Sequence, residues 1–187
     1  MAIADEVAKV FFSARIARID FRLGPLEVSP KRLHAVGKAI GGGRIKVAVA
    51  STGRLLSAAY SPHSNQMTLP SDQIGSVMIQ ASILHEGVHA LVDLFRCTNL
   101  TVLDDEAAAY LAEAIYLRAA HTWVSGDGAA LAIYKAADAL AKAHDLYNTR
   151  AVRLSSRDAA ALRSAIHAHP AYSGIDVHQR TSGHGVP

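Results

Sequence analysis

The chain has 187 residues, half of them hydrophobic, and a formal net charge of +3 from 19 basic and 16 acidic side chains. That length and apolar content suit one sizeable core, and therefore a single domain over 1–170 followed by a loose polar tail over 171–187. No run approaches the roughly 18 uncharged apolar residues of a membrane helix, and the mild, dispersed basic excess argues against a nucleic-acid partner.

The one cysteine, Cys97, can form neither an internal disulfide nor a thiolate zinc cluster. The opening MAIADEVAKVFF carries Asp5 and Glu6 ahead of its apolar run and lacks the basic start of a secretory signal. The expected location is the cytoplasm, or outside the cell by a route that reads no cleavable signal.

In chain order, residues 3–14 read as a short helix and IARIDFRL (16–23) alternates as a strand. Ser29-Pro30 opens a helix to about Ile40, ended by Gly41-Gly42-Gly43. RIKVAVAS (44–51), LLSAAYS (55–61) and NQMTLP (65–70) read as strands, the last two joined by a turn at Pro62-His63-Ser64. From Ser71, a predicted N-cap, apolar residues recur at helical spacing from Ile74 to Phe95.

A second long helix is predicted from Asp105 to about Trp123 with Asp104 as cap. A third covers about 129–146, after Gly126 and Gly128. A fourth covers 156–168, with Ser155 and Asp158 as a capping box. Arg150, Arg153 and Arg157 read as a solvated helix edge. The expected class is α+β: a small antiparallel or mixed sheet in the N-terminal half, packed on a mainly helical C-terminal half.

The chemistry concentrates in Leu84-His85-Glu86-Gly87-Val88-His89, an HExxH motif in the middle of the first long helix. Positions i and i+4 share a helix face one turn apart, so two imidazoles can hold one metal without distorting the backbone. Glu86, rotated about 100° from His85, is placed to act as general base on a water polarised by the metal. Two histidines and a glutamate at the edge of an apolar stripe are costly to bury without partners, and a metal satisfies them.

A catalytic site needs a third protein ligand. Asp104, Asp105, Glu106 and Glu113 all lie within reach, since the second helix can fold back beside the first; Glu106 and Glu113, seven apart, share a face. The ordinary alternative for Glu106 is an acid stabilising a helix N-terminus, and for Glu113 a surface residue.

His85, Glu86 and His89, followed 17 positions later by Glu106 in Asp105-Glu106-Ala107-Ala108, resemble the gluzincin superfamily of zinc metallopeptidases, whose best-known members are thermolysin-like. The resemblance covers about residues 58–117, including Ala59-Tyr60 and Asn65–Leu69, which look like the edge strand over the substrate cleft. It implies Zn2+, one per chain, on His85, His89 and Glu106, with Glu86 as the base in peptide-bond hydrolysis.

The sequence departs from the family at Tyr110, where an aspartate supporting a zinc histidine is usual; Asp93 could substitute in part. For the oxyanion-stabilising group the candidates are His121, Tyr134, His144, Tyr147, Arg150 and His167. Tyr147 and Arg150 are favoured because they end a helix near a loop. A metzincin extension is excluded by Val92 and Phe95, and a deformylase-like cysteine ligand by the position of Cys97, downstream on the same helix.

The expected function is a zinc-dependent metallopeptidase acting on a protein or peptide, of a kind that includes bacterial effectors and toxins countered by an inhibitor or immunity protein. The alternatives are a non-catalytic zinc-binding interaction domain with the same fold and a metal-free helical interaction domain. The loops expected to line the cleft are 51–57, 62–65, 97–103 and 147–154.

Overall fold

The computed structural model of the chain describes residues 2–50, 58–124 and 128–181. The elements are helix α1 (Ile3–Val10), a 3-10 turn (Ala14–Arg18), strands β1 (Phe21–Leu23) and β2 (Leu26–Val28), helix α2 (Pro30–Gly41), strands β3 (Lys46–Val49), β4 (Ala59–Ser61) and β5 (Gln66–Leu69), helices α3 (Val77–Leu94), α4 (Val102–Ala119) and α5 (Ala129–Ala143), strand β6 (Val152–Leu154) and helix α6 (Ala160–His167). The class is α+β.

Two three-stranded sheets replace the single expected one. In the first, ordered β2-β1-β6, β1 pairs antiparallel with β2 and parallel with β6. In the second, ordered β3-β5-β4, β5 pairs parallel with β3 and antiparallel with β4. Residues 16–23 only partly form the expected strand. Ile16 and Ile19 are both fully buried three positions apart, a spacing that a 3-10 turn satisfies and alternation does not. The basic stretch at 150–157 likewise holds β6 rather than a helix edge. Of the strand expected over 55–61, residues 59–61 are present, while 51–57, with their expected role in the cleft, lie outside the described residues.

The core is organised around α4. Ala107, Ala108, Ala109, Ala112 and Ala114 are all completely buried, so the helix is covered on every side and its small side chains let α3 approach closely. Alanine is also the residue that costs least in a helix, so packing and propensity agree here.

Both long helices start from caps that differ from those expected. Ser76 Oγ accepts from the amide of Ile79, so α3 is capped five residues after Ser71, whose hydroxyl caps a local turn at Gln73. Thr101 Oγ1 accepts from the Asp104 amide and starts α4 three residues early.

Helices α3, α4 and α5 stop in the same way. Arg96, His121 and Asp145 adopt positive φ of 51°, 54° and 52°. The next amide then reaches back to the last turn: Cys97 N to Val92 O, Thr122 N to Leu117 O and Leu146 N to Ala141 O, at 2.8–2.9 Å.

Residues 171–181 do not hang loose. The amide of Val102 donates to Gln179 O at 2.8 Å, and the amide of Thr181 to Leu100 O at 2.9 Å. Arg180 bridges Thr101, and its guanidinium donates to Asn99 Oδ1. Residues 179–181 thus lie along the start of α4. No helix among the described residues is long and apolar enough to cross a membrane.

Candidate metal centre

Helix α3 supplies His85, Glu86 and His89 near its middle, and α4, packed beside it, supplies Asp105, Glu106 and Glu113. One ligand atom from each of His85, Glu86 and His89 lies within 4.8 Å of the others, an arrangement that could hold a metal ion. Glu106 faces both imidazoles: its Oε2 lies 3.4 Å from His85 Nε2 and its Oε1 lies 3.7 Å from His89 Nε2.

The opposite nitrogens are held by other carboxylates. His85 Nδ1 is 3.1 Å from Glu113 Oε2, and His89 Nδ1 is 3.0 Å from Asp105 Oδ1. A carboxylate can only accept, so each Nδ1 carries a proton, and each Nε2, facing Glu106, is the atom a cation would take once the ring is neutral. The carboxylate partners missing at Tyr110 are therefore present elsewhere, at Asp105 and Glu113. Tyr110 instead sets its ring edge-on to His85, with centroids 4.5 Å apart.

Hydroxyl groups complete the surroundings. Tyr134 donates to Glu113 Oε1 at 2.8 Å, and Tyr172 donates to Glu106 Oε2 at 3.1 Å. The Tyr172 oxygen is also 3.1 Å from that of Tyr110. Because Tyr172 gives its one proton to Glu106, Tyr110 is the donor of this second bond.

Strand β4 closes the remaining side. The amides of Ala58 and Tyr60 donate to Ser82 Oγ and Glu86 Oε2, at 2.9 and 2.8 Å, and the Tyr60 hydroxyl donates to buried Asp93 at 2.8 Å. Asp93 thus helps to hold the strand in place. A cavity of about 250 Å³ opens beside His89, walled by Tyr60, Pro62, Val92, Asp93, Glu106 and Thr181 among others.

Burial works against charge on His85 and His89, but the carboxylates outweigh it. Glu106 and Glu113 hold His85 well above its ordinary pKa, and Asp105 and Glu106 raise His89 to about 9. Glu106 is pulled down to about 2, against its own burial, by the two histidines and Tyr172. Glu86 moves the other way: burial raises it, only partly offset by the histidines and the Tyr60 amide.

The favoured oxyanion candidates are not brought to this cluster. The Tyr147 hydroxyl donates to Asp138 Oδ1 at 2.7 Å, and its ring lines a separate cavity near the end of α4. Arg150 is exposed beyond it. The physical reason is direction: α5 carries the chain toward the opposite end of α4 from Glu106. Tyr134 does join the cluster, through Glu113. Tyr172, absent from the sequence candidates because its segment read as tail, contacts Glu106 directly.

Compared with known proteins, the chain matches no family model, no curated protein and no solved structure. The likeness to gluzincins accordingly rests on the residues quoted from the sequence.

Proposed function

We propose that the protein is a zinc-dependent metallopeptidase, with the metal held by Nε2 of His85, Nε2 of His89 and the carboxylate of Glu106. The observation that carries this reading is the opposed hydrogen bonding of the two rings: each Nδ1 is held by its own carboxylate, and each Nε2 faces Glu106. Two imidazoles and one carboxylate suit zinc and leave a position open. Bound there, zinc would supply Lewis acidity toward a peptide carbonyl and toward water.

The protein's own groups do the rest. Glu86 is the general base: it takes a proton from the attacking water and returns it to the leaving amine, and its burial-raised pKa favours that exchange. Tyr172, whose one proton goes to Glu106, holds that carboxylate toward the two imidazoles. The cavity between Tyr60, Pro62 and Thr181 accommodates the substrate chain.

A second reading, a non-catalytic metal-binding domain, draws on the bond between Glu86 and the Tyr60 amide, which gives Glu86 a structural task.

Elemental analysis of the wild type and His89→Ala, followed by a peptide-library screen, tests both. The peptidase reading expects about one zinc per chain, lost in His89→Ala, and a cleavage activity that Glu86→Gln lowers roughly 10²–10⁴-fold while keeping the zinc. Zinc bound without cleavage of any library peptide supports the binding domain. No metal in either protein, even after zinc is added and the excess removed, sinks both.

A further inference from the structure

The second cavity, of about 240 Å³, lies at the far end of α4 and plays no part in the chemistry above. Arg118 stands twelve residues beyond Glu106 on the same helix, about 18 Å along its axis. The floor is apolar: buried Ile115, Ala119 and the ring of Tyr147. The rim is cationic, with exposed Arg18 from the 3-10 turn and exposed Arg118 and His121 from the end of α4.

Among the described residues no carboxylate lines this cavity, and Asp138 and Asp145 are engaged by their own segment. Asp138 accepts from the Tyr147 hydroxyl and pairs with Lys142. Asp145 accepts from the Asn148 amide at 2.7 Å and the Thr149 hydroxyl at 2.9 Å. Arg18 and Arg118 form no ion pair among the described residues; the Arg118 guanidinium lies 5.8 Å from the centroid of the Tyr147 ring and acts on the Asp138 carboxylate only through its charge. The negative end of α4 accounts for a cation at Arg118, but not for Arg18 arriving from a different element.

We propose that this cavity is a binding site for a small organic carboxylate with a compact apolar body. Its volume falls below the roughly 300–1,000 Å³ of pockets that take drug-sized ligands, so the ligand is small. The guanidinium fork matches a carboxylate in two parallel hydrogen bonds, and the floor of Ile115, Ala119 and Tyr147 receives the apolar part. The site is independent of the metal centre and of the reading given to it.

Calorimetric titration of the full chain with benzoate, with neutral benzamide and with inorganic phosphate tests the assignment. Saturable benzoate binding is expected, at least tenfold tighter than that of benzamide or phosphate, and weakened at least tenfold in Arg118→Ala. Arg18→Ala, on an exposed turn away from the Tyr147 contact, should weaken it comparably and guards against a folding defect in the first variant. Binding at the metal centre would ignore both substitutions. Benzoate binding that is absent, or that survives both substitutions unchanged, overturns the proposal, as does phosphate binding as tightly as benzoate.

Discussion

Asp105 and Glu106, neighbours in the chain, take opposite nitrogens of one imidazole: Asp105 Oδ1 lies 3.0 Å from His89 Nδ1, and Glu106 Oε1 lies 3.7 Å from His89 Nε2. Consecutive helix residues point about 100° apart, so α4 clasps the ring from two sides. Glu113, two turns further on, does for His85 what Asp105 does for His89.

Asp105→Asn removes the charge that orients His89 while leaving every proposed ligand in place. Zinc affinity should fall about 10–100-fold without being abolished, the usual scale for a group supporting a metal histidine. Competition against a chromophoric chelator reads this directly. An unchanged affinity would mean that His89 is not a ligand, or that its orientation does not depend on Asp105.

The metal-free protein should lose stability as pH rises. The folded-state pKa of His89, about 9, lies above its ordinary 6.5, so its contribution is complete below 6.5 and disappears as pH climbs toward 9; His85 acts in the same direction. Glu106, pulled from 4.5 to about 2, contributes above 4.5 and loses that contribution as pH falls toward 2. Melting temperature without zinc should therefore drop between pH 6.5 and 9. The gain on adding zinc should grow over the same interval, because a metal requires neutral imidazoles. A flat metal-free profile from 6.5 to 9 would show that the histidines are not charged.

Gly87, inside the HExxH turn, has no room for a side chain. A methyl group there would overlap the ring of Phe11, which is fully buried. Gly87→Ala should destabilise the fold by about 1–3 kcal/mol through overpacking, measured by denaturant unfolding. Coupling Gly87→Ala with Phe11→Leu should recover part of the loss, whereas additive losses would point away from that contact.

Arg96, which ends α3, holds a left-handed conformation that costs a residue with a β-carbon about 1–2 kcal/mol relative to the right-handed one. Arg96→Gly should therefore raise stability by about 0.5–1 kcal/mol, after the greater freedom of glycine in the unfolded chain is deducted. Thermal denaturation of the metal-free protein checks the sign.

The HExxH helix and the α+β class were legible because both are written as local periodicity. Asp105 and Glu113 were visible as acids, but their attachment to particular histidine nitrogens depends on how α3 and α4 pack, and no spacing within one helix carries that. The ends of α4 and α5 were placed three to four residues late for a different reason: at His121 and Asp145 the left-handed turn falls on residues other than glycine, so the usual mark of a helix end is missing. Tyr172 was hidden because its segment is polar, and the residues after it are held by hydrogen bonds to Leu100, Val102 and Asn99 rather than by an apolar stripe. Strand β6 is three residues long, too short to show a period.

Strand β1 has a further consequence for the route by which the chain acquires its structure. Its parallel partner, β6, lies about 130 residues later, so the first sheet can be completed only after the ends of a very long loop have met. The long α3–α4 pairing, by contrast, joins segments that are nearly adjacent. Helix pairing should accordingly precede sheet completion, and in pulse-labelled refolding the amide of Gly24, which donates to Leu154 O, should gain protection after those in the middle of α4.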